Sequence, residues 1–268
     1  MTDTSTVLLQ RREGAVLVLS HNNTAARNAL SPAYYAALTQ ALEAAQTDPT
    51  VGAIVLTGEG GHFCAGGDLR QLALRRELPI EARLAKLEGL HDLIRAVSGC
   101  TKPVIAAVEG AAAGAGLSLA LACDMLVAAR NAVFSVAYVK VGLTPDGGAT
   151  AFLAEFVSRQ VLTELCLTGE RISGERLHAL GAVNRLSEPG EALAGALALA
   201  ASVANGPQQA MARIKALCRQ APQASLPEQL ESEAQFMVLS QATEESREGI
   251  GAFLEKRAPD FARLRGAG

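Results

Sequence analysis

The fold is decided by the stretch from Lys102 to Asp124, KPVIAAVEGAAAGAGLSLALACD. Its apolar run at residues 103–108 is typical of a buried strand, and residues 117–123 are good helix formers after a turn of Gly and Ala. The first N–H groups of a helix have no partner inside the helix, and the helix dipole adds positive potential there. Because small side chains leave this backbone accessible, the stretch predicts an anion or oxyanion site.

The composition indicates a protein with a large aliphatic core. The chain has 268 residues, of which 49% are hydrophobic, 4% are aromatic and none is Trp. This length allows one large α/β domain or two small ones. The 24 basic and 27 acidic residues give a net charge of −3. Such a balance lacks the basic surface that a nucleic acid requires, so no nucleic-acid partner is expected.

Cysteine usage and the chain ends indicate a cytoplasmic protein. The five cysteines are far apart and form no CxxC pair, which favours reduced thiols over disulfides or a metal site. The N-terminal residues lack the basic-then-apolar order of a signal peptide. The longest apolar stretch, at residues 111–123, is shorter than the ~20 residues of a membrane helix. We therefore expect no membrane association.

Short apolar runs alternate with helical patterns in the first part of the chain, and helical patterns fill the rest. This order predicts an α/β core over residues 1–190 and a helical region over residues 191–268. The predicted elements are an N-terminal hairpin (7–9 and 15–19), a helix from an N-cap at Ser31 to about Gln46, a strand at 51–56, a charged helical stretch at 69–98 interrupted near Pro79, strands at 103–108, 125–129 and 133–136, helices through Cys166, a helix at 173–180 and a strand at 182–186.

Three glycine-rich loops are predicted to supply the functional groups. They span Gly61–Arg70, Gly114–Gly116 and Gly142–Gly148, and each is expected to follow a strand and to open a helix. Together they would provide two sets of main-chain donors and one carboxylate.

Five motifs occur in a fixed order along the chain: Arg27-Asn-Ala-Leu30, Phe63-Cys-Ala-Gly-Gly-Asp68, Lys102-Pro-Val-Ile-Ala-Ala-Val108, the turn at Gly114 ending in Ala-Cys-Asp124, and Gly142-Leu-Thr-Pro-Asp146. With these motifs the chain resembles the enoyl-CoA hydratase/isomerase (crotonase) superfamily from Val7 to Phe261. The resemblance implies a spiral of ββα units with a helical C-terminal region that assembles a trimer or a dimer of trimers. It also implies an acyl-CoA thioester as substrate, with coenzyme A entering as part of that substrate and no separate cofactor or metal.

The resemblance implies that two main-chain N–H groups hold the thioester oxygen. The matching residues are Gly67 and Ala115. Removal of an α-proton from a thioester makes an enolate, and one donor aimed at its oxygen contributes about 3–4 kcal/mol. The alternative is that both loops are only tight turns between strand and helix; the order of the motifs favours the oxyanion hole.

The departures from the family pattern bear on the reaction. Hydratases of this family use two glutamates, and the matching positions here are Ser118 and Tyr138. Hydration by paired carboxylates is therefore in doubt, and Asp146 remains. A similar aspartate acts as the acid/base in the Δ3,Δ2-enoyl-CoA isomerases and the phenylacetate-pathway epoxide/oxepin isomerase, which the chain resembles most in motif. One carboxylate suffices for a 1,3-proton shift. The alternative is that Asp146 caps a helix beginning at Gly147.

The substrate-binding set also follows from the resemblance. Arg27 and Arg70 would lie near the phosphates or adenine of coenzyme A, and Phe253 and Lys256 would reach across from a neighbouring subunit. Asp68 is expected to organise its loop, and His91 is expected at the surface. The full predicted set is Arg27, Ala65, Asp68, Leu69, Arg70, Ser118, Tyr138, Phe253 and Lys256.

Three other functions stay open from the sequence. The chain could be a hydratase with an atypical base, or it could bind acyl-CoA without turning it over. It could also be a serine hydrolase, because Gly116-Leu-Ser-Leu-Ala120 approaches a nucleophile elbow with Ser118 as nucleophile. That reading needs a histidine downstream, and His178 is the one histidine there.

Overall fold

The computed structural model describes residues 7–265. Within this range the elements in chain order are β1 (Leu8–Glu13), β2 (Val16–His21), α1 (Pro32–Thr47), β3 (Ala53–Gly58), α2 (Leu69–Arg75), α3 (Ile80–Gly99), β4 (Val104–Val108), β5 (Ala111–Ala113), α4 (Ala115–Leu121), β6 (Met125–Ala129), β7 (Val133–Ser135), α5 (Ala149–Ala154), α6 (Arg159–Thr168), β8 (Arg171–Ser173), α7 (Gly174–Ala179), β9 (Arg185–Ser187), α8 (Ala192–Ala204), α9 (Gln208–Gln220), α10 (Leu226–Gln241) and α11 (Glu244–Leu254).

The strands form two sheets. Six strands lie in the order β1-β2-β3-β4-β6-β9, and a smaller sheet has the order β5-β7-β8. The hairpin of β1 and β2 is antiparallel, whereas β2, β3, β4, β6 and β9 run parallel. The predicted α/β spiral is therefore confirmed. The turn of Gly and Ala predicted between the strand at 103–108 and the helix at 117–123 is not continuous, because β5 lies inside it and pairs with β7.

The central strands are buried on both faces, as their uninterrupted apolar sequences predict. Successive side chains of a strand point to opposite faces, so the six-stranded sheet serves two cores. On one face Leu19, Ile54 and Leu56 join the larger core. On the other face Val55 and Ile105 belong to the core that includes residues of α8. The boundary predicted between residues 190 and 191 stays a prediction, and α8 packs directly on the sheet.

Local signals set the helices that carry the site. The Oγ atom of Ser31 accepts a hydrogen bond from the Tyr34 N–H at 3.2 Å, and Pro32 opens α1 as the sequence predicts. The break near Pro79 is also confirmed, because α2 ends at Arg75 and α3 begins at Ile80.

A buried carboxylate fixes the end of the helical region. Glu248 on α11 is buried and accepts a hydrogen bond from the Asp260 N–H at 2.8 Å. It also forms ion pairs with Arg257 and Arg263. Large apolar side chains on α10 and α11 are nevertheless exposed: Leu226, Leu230, Met237, Val238, Leu239, Ile250, Phe253 and Leu254. The C-terminal helices therefore present an apolar surface.

In residues 7–265, no helix has the length and apolar character needed to cross a membrane. The same range contains no cluster of three or more His, Cys, Asp or Glu side chains arranged to hold a metal ion. All five cysteines are free thiols.

Candidate active site

Two of the predicted loops lie side by side. The Cys64 N–H donates to the Ala111 carbonyl at 2.9 Å, and the Ala113 N–H donates to the Cys64 carbonyl at 3.0 Å. A Cβ atom at Gly116 would lie 2.4 Å from the Cys64 carbonyl oxygen, which no side chain permits. The glycine at this position thus lets the start of α4 pack directly against the main chain of Cys64.

The Gly66-Gly67 turn passes directly against the first residue of α4. Gly66 has φ +94°, a conformation that favours glycine. A Cβ atom at Gly66 would lie 2.6 Å from the Ala113 carbonyl oxygen and 3.6 Å from the Ala115 nitrogen. The sequence placed Gly67 and Ala115 at one site, and the structure brings their loops into contact.

Both of these residues have a free main-chain donor. Among residues 7–265, neither the Gly67 N–H nor the Ala115 N–H donates a hydrogen bond to another protein group. Ala115 is only 4% exposed, and buried N–H groups in proteins are almost always paired. Gly114 precedes α4 with φ +52° and provides no side-chain cap. Two unpaired donors in touching loops are suited to hold an oxygen atom that carries negative charge.

The carboxylate lies on the third loop, and the hydroxyls of two side chains hold Asp146, one through its carboxylate and one through its main-chain carbonyl. The Tyr138 hydroxyl donates to Oδ1 of Asp146 at 2.7 Å. The Ser118 hydroxyl donates to the main-chain carbonyl of Asp146 at 3.0 Å. Gly147 has φ +59°, and a Cβ atom there would lie 3.1 Å from Cβ of Ser118. Ser118 and Tyr138, which occupy the positions matched to the two glutamates of the hydratase pattern, therefore both hold the Asp146 loop by hydrogen bonds.

The surroundings of Asp146 favour proton exchange. Burial raises the pKa of Asp146, and this rise is opposed by the Tyr138 hydrogen bond and then by the charges of His91 and Arg75. Burial, followed by the negative charge of Asp146, raises the pKa of Tyr138, so its hydroxyl stays protonated and donates. A carboxyl whose pKa is raised both accepts and returns a proton more readily near neutral pH.

Asp146 does not cap a helix with its side chain. Gly148 is the residue that precedes α5, and it has φ +82° and no side-chain cap. Asp146 contributes only its main-chain carbonyl, which accepts a hydrogen bond from the Ala149 N–H at 3.2 Å. The helix-capping alternative is therefore wrong, and the carboxylate makes its hydrogen bond with Tyr138 instead.

Ser118 is not arranged as a nucleophile. It is fully buried, and its hydroxyl is engaged by the Asp146 carbonyl. His178, the histidine that a hydrolase would need, has Nδ1 at 2.7 Å from the Val183 carbonyl oxygen. The structure therefore gives no support to the serine-hydrolase alternative, which requires a base next to the hydroxyl.

The residues predicted to contact coenzyme A lie along the rim of the first loop. Arg27 is exposed with φ +48°, and its carbonyl accepts a hydrogen bond from the Ala65 N–H at 3.0 Å. Asp68 caps α2 by accepting the Arg70 N–H at 2.9 Å, and Leu69 opens that helix with an exposed side chain. The cap explains why an acid is useful at position 68. Binding of coenzyme A by this rim stays a prediction.

Phe253 and Lys256 lie at the C-terminal surface. Phe253 is 82% exposed near the end of α11, and Lys256 follows it with φ +54°. Their predicted reach into a neighbouring subunit stays a prediction.

Three side chains near Asp146 fall outside the predicted site. Arg75 and His91 carry charges that lower the pKa of Asp146, and Tyr35 has its pKa raised in part by Asp146. His91 lies at the surface, as expected, with its side chain partly exposed and its Nδ1 3.3 Å from a carboxylate oxygen of Glu88. The spacing of Leu72 and Arg75 on one face of α2 is the signal that could have indicated Arg75.

The fold and the site together define a class of protein: an α/β protein in which paired main-chain amides can stabilise an oxyanion and a neighbouring carboxylate can exchange a proton. The family model for enoyl-CoA hydratase/isomerase matches residues 11–264. The chain belongs to the enoyl-CoA hydratase/isomerase family.

Similar proteins carry both names of the family. The chain is 37% identical to the 2,3-dehydroadipyl-CoA hydratase of Escherichia coli K12, over 95% of this chain and 98% of that protein. It is 34% identical to the 1,2-epoxyphenylacetyl-CoA isomerase of the same organism, over 95% of this chain and 97% of that protein. Among solved structures, an enoyl-CoA hydratase from Polaromonas sp. JS666 superposes with a TM-score of 0.92 at 46% identity, covering 94% of this chain and 98% of that one.

Proposed function

We propose that this protein is an acyl-CoA isomerase that shifts a double bond or rearranges a ring through a thioester enolate. The observation that carries the proposal is the pairing of two free main-chain donors, at Gly67 and Ala115, with one carboxylate, Asp146, whose pKa is raised by burial. Neither Ser118 nor Tyr138 is a carboxylate, so the hydratase pair is absent at those positions.

The reaction needs one proton to leave one carbon and one to return to another. Asp146 takes the proton, and the electron pair of the broken C–H bond moves towards the thioester oxygen. The N–H groups of Gly67 and Ala115 stabilise the negative charge on that oxygen, with each donor contributing about 3–4 kcal/mol. Asp146 then returns the proton to a different carbon as the enolate collapses, so the carboxylate ends as it began.

A hydratase is the second candidate, and the name of the 2,3-dehydroadipyl-CoA hydratase relative supports it. In that reaction Asp146 alone would activate the water that adds to the double bond. A single carboxylate must then take the proton from the water and return that same proton to the α-carbon, while the hydroxide adds to the β-carbon. Its one hydrogen bond to Tyr138 leaves its second oxygen available for this work.

The test is Asp146→Asn, compared with Asp92→Asn on the exposed side of α3. We expect Asp146→Asn to bind acyl-CoA as the wild type does and to lose at least about a thousandfold in kcat for conversion of a 3-enoyl-CoA to the 2-enoyl-CoA. Asp92→Asn should retain full activity. Full activity in Asp146→Asn would contradict the assignment.

Two further assays separate the alternatives. Hydration of crotonyl-CoA, followed by loss of absorbance, exceeds isomerisation if the protein is a hydratase. If the wild type binds acyl-CoA yet exchanges no α-hydrogen with deuterated water, the protein is a binder without an enolisation step.

We also infer that the chain self-associates through the apolar surface of α10 and α11. Eight large apolar side chains are exposed on these two consecutive helices, and extensive exposed apolar surface is uncommon on a monomeric soluble protein. Phe253 and Lys256 lie on or next to this surface, so a partner subunit would bring them towards a neighbouring site. The trimer and the dimer of trimers are the two assemblies that the family resemblance implies.

A further inference from the structure

The first of the five motifs, Arg27-Asn-Ala-Leu30, runs beside the first oxyanion loop. The Arg27 carbonyl accepts a hydrogen bond from the Ala65 N–H at 3.0 Å. The Leu30 N–H donates to the Gly66 carbonyl at 2.8 Å. This segment is therefore a main-chain neighbour of the residues that lead into the first oxyanion donor.

The hydrogen bond from Leu30 sets the direction of the Gly67 N–H. A peptide unit is planar and trans, so its carbonyl and its N–H point to opposite sides. The Gly66 carbonyl and the Gly67 N–H belong to one such unit, and holding the carbonyl therefore holds the donor. For the second donor, the Gly114 carbonyl is held by the Leu117 N–H at 2.9 Å, within the same helix. The first donor, in contrast, depends on a separate segment.

This separate segment has an unfavourable backbone. Arg27 has φ +48° and Asn28 has φ +57°, in the left-handed region that residues other than Gly rarely adopt. Such residues persist where the surrounding structure imposes their conformation, and here two follow one another. The segment therefore needs contacts that hold it against the loop.

The side chain of Asn28 supplies these contacts. It is fully buried, and its Oδ1 accepts the Asn23 N–H at 2.8 Å. Its Nδ2 donates to the carbonyls of Glu59 at 2.8 Å and His62 at 2.6 Å. A Cβ atom at Gly58 would lie 2.6 Å from this Nδ2, so the glycine leaves room for the amide. The amide thus connects its own segment to the chain that enters the first oxyanion loop.

We propose that Asn28 is a positioning residue of the oxyanion hole, whose side-chain amide holds the segment that directs the Gly67 N–H. This inference rests on the proposed function, because the oxygen that this N–H would hold is that of the thioester. Asn28 touches no reacting atom and acts through the Leu30 N–H and the Gly66 carbonyl. Enolate formation is the step that depends on it, because a donor misplaced by about 1 Å loses much of its effect on the transition state.

The alternative role for Asn28 is in binding coenzyme A through its neighbour Arg27, which the family resemblance places near the nucleotide. That role would change the affinity for every CoA ester and leave the thioester carbonyl as it is in the wild type. The polarisation of the bound carbonyl therefore separates the two roles, and it is a property that a general loss of stability does not mimic.

The test is Asn28→Asp, which keeps the size and the Oδ1 acceptor and removes both N–H donors. The probe is hexanoyl-CoA labelled with ¹³C at the thioester carbonyl, which is saturated and binds without isomerising. We expect the wild type to lower the stretching frequency of the bound carbonyl in infrared difference spectra, because hydrogen-bond donors polarise it. Asn28→Asp should lose most of this shift and about 100-fold in kcat on a 3-enoyl-CoA, with the Kd for hexanoyl-CoA within about threefold of the wild type.

Gln208→Glu is the matched control. Nε2 of Gln208 donates to the Gly52 carbonyl at 3.2 Å, and Gly52 precedes β3, whereas the first oxyanion loop follows that strand. The substitution makes the same exchange of amide for carboxylate and removes a donor to a main-chain carbonyl, so it should keep the wild-type spectrum and kcat. Asn28→Gly adds no buried charge and adopts a positive φ without strain, so it gives the same readings if Asn28→Asp does not fold.

Each outcome decides the inference. An unchanged carbonyl frequency in the Asn28 variants would overturn it and leave the proposed function intact. A weaker Kd with an unchanged frequency would assign Asn28 to coenzyme A binding, and the inference would be wrong. Equal loss of the shift in Gln208→Glu would also overturn it, because the effect would not be specific to this loop. If the wild type binds hexanoyl-CoA without shifting the carbonyl frequency, both the inference and the proposed function fail.

Discussion

The hydroxyl of Tyr138 lies 2.7 Å from Oδ1 of Asp146, so a side chain from one turn directs the carboxylate of the next loop. Tyr138 occupies the position at which the hydratase pattern has its second glutamate. The residue that replaces a carboxylate is thus a donor to another carboxylate. In the proposed reaction, that hydrogen bond sets the pKa at which Asp146 accepts and returns its proton.

Loss of the Tyr138 hydroxyl should change how activity depends on pH. The hydrogen bond favours the charged form of Asp146 and lowers its pKa, so Tyr138→Phe should raise that pKa. The acidic limb of the kcat/KM profile then moves to higher pH. At the acid end of the profile, kcat/KM of Tyr138→Phe should be about tenfold lower than that of the wild type. The measurement is a kcat/KM profile for both proteins. An acidic limb at the same pH in both would show that Asp146 is not the titrating base.

Removal of one main-chain donor should slow the reaction strongly. Ala115 is the first residue of α4, a position where proline is tolerated because its missing N–H has no partner in the helix. Ala115→Pro should therefore retain the helix and lose the donor, with a decrease of about 100- to 1000-fold in kcat. Steady-state kinetics measure the effect, and circular dichroism reports the fold.

Arg159→Pro is the control for this substitution. Arg159 opens α6, follows a Ser158 cap in an extended conformation, and has an exposed side chain. The same chemical change at this helix start should leave kcat within about twofold of the wild type. Equal losses in both variants would mean that the proline itself, and not the donor, is responsible.

A charge on the apolar C-terminal surface should dissociate the assembly. Phe253 is 82% exposed in the single chain, so its replacement by Glu should not disturb the folding of that chain. We expect light scattering to show a particle near the 27.8 kDa of one chain for Phe253→Glu, and a multiple of it for the wild type and Phe253→Leu. A wild type that is already monomeric would contradict self-association.

Acid should destabilise the protein through a buried imidazole. His21 stacks on Tyr34 with ring centroids 3.6 Å apart, and its ring nitrogens have no partner in the described residues. Burial lowers the pKa of His21 from 6.5 to about 4. Between these values the unfolded chain binds a proton that the folded chain does not, so stability falls as the pH drops.

As the pH falls from 6.5 to 4, His21 should lower the free energy of unfolding by about 3 kcal/mol. His21→Phe keeps the stacked ring and cannot titrate, so its stability should fall less over the same range. Urea denaturation at several pH values measures the difference. Parallel curves for the two proteins would show that His21 is not the group responsible.

Much of the site could be predicted because its key atoms belong to the main chain. The sequence of glycines and alanines around Gly67 and Ala115 leaves few backbone conformations, and their order along the chain matched a known pattern. The N-cap at Ser31 and the break at Pro79 are similarly local signals, and each appears where it was predicted.

Features that depend on packing between distant segments were missed. The Ala111–Ala113 strand has little intrinsic preference for extended structure, and it forms because β7 and Cys64 pair with it. The influence of Arg75 on the pKa of Asp146 depends on how α2 packs in the fold, which its seven-residue sequence does not reveal. The prediction that Asp146 caps a helix is wrong because Gly148, with φ +82°, is the residue that precedes α5, and no side chain caps that helix.

The close fit between Ser118 and Gly147 constrains how this chain could evolve another activity. Ser118 has no exposure, and its Cβ lies 3.1 Å from the place where a side chain at Gly147 would begin. A glutamate at position 118 would have no room until the loop carrying Asp146 shifted. The amide donors, in contrast, belong to the main chain, so an exchange of the side chain at position 118 or 138 does not remove them. New chemistry in this lineage would therefore begin with a loop displacement, and the exchange of acidic residues would follow it.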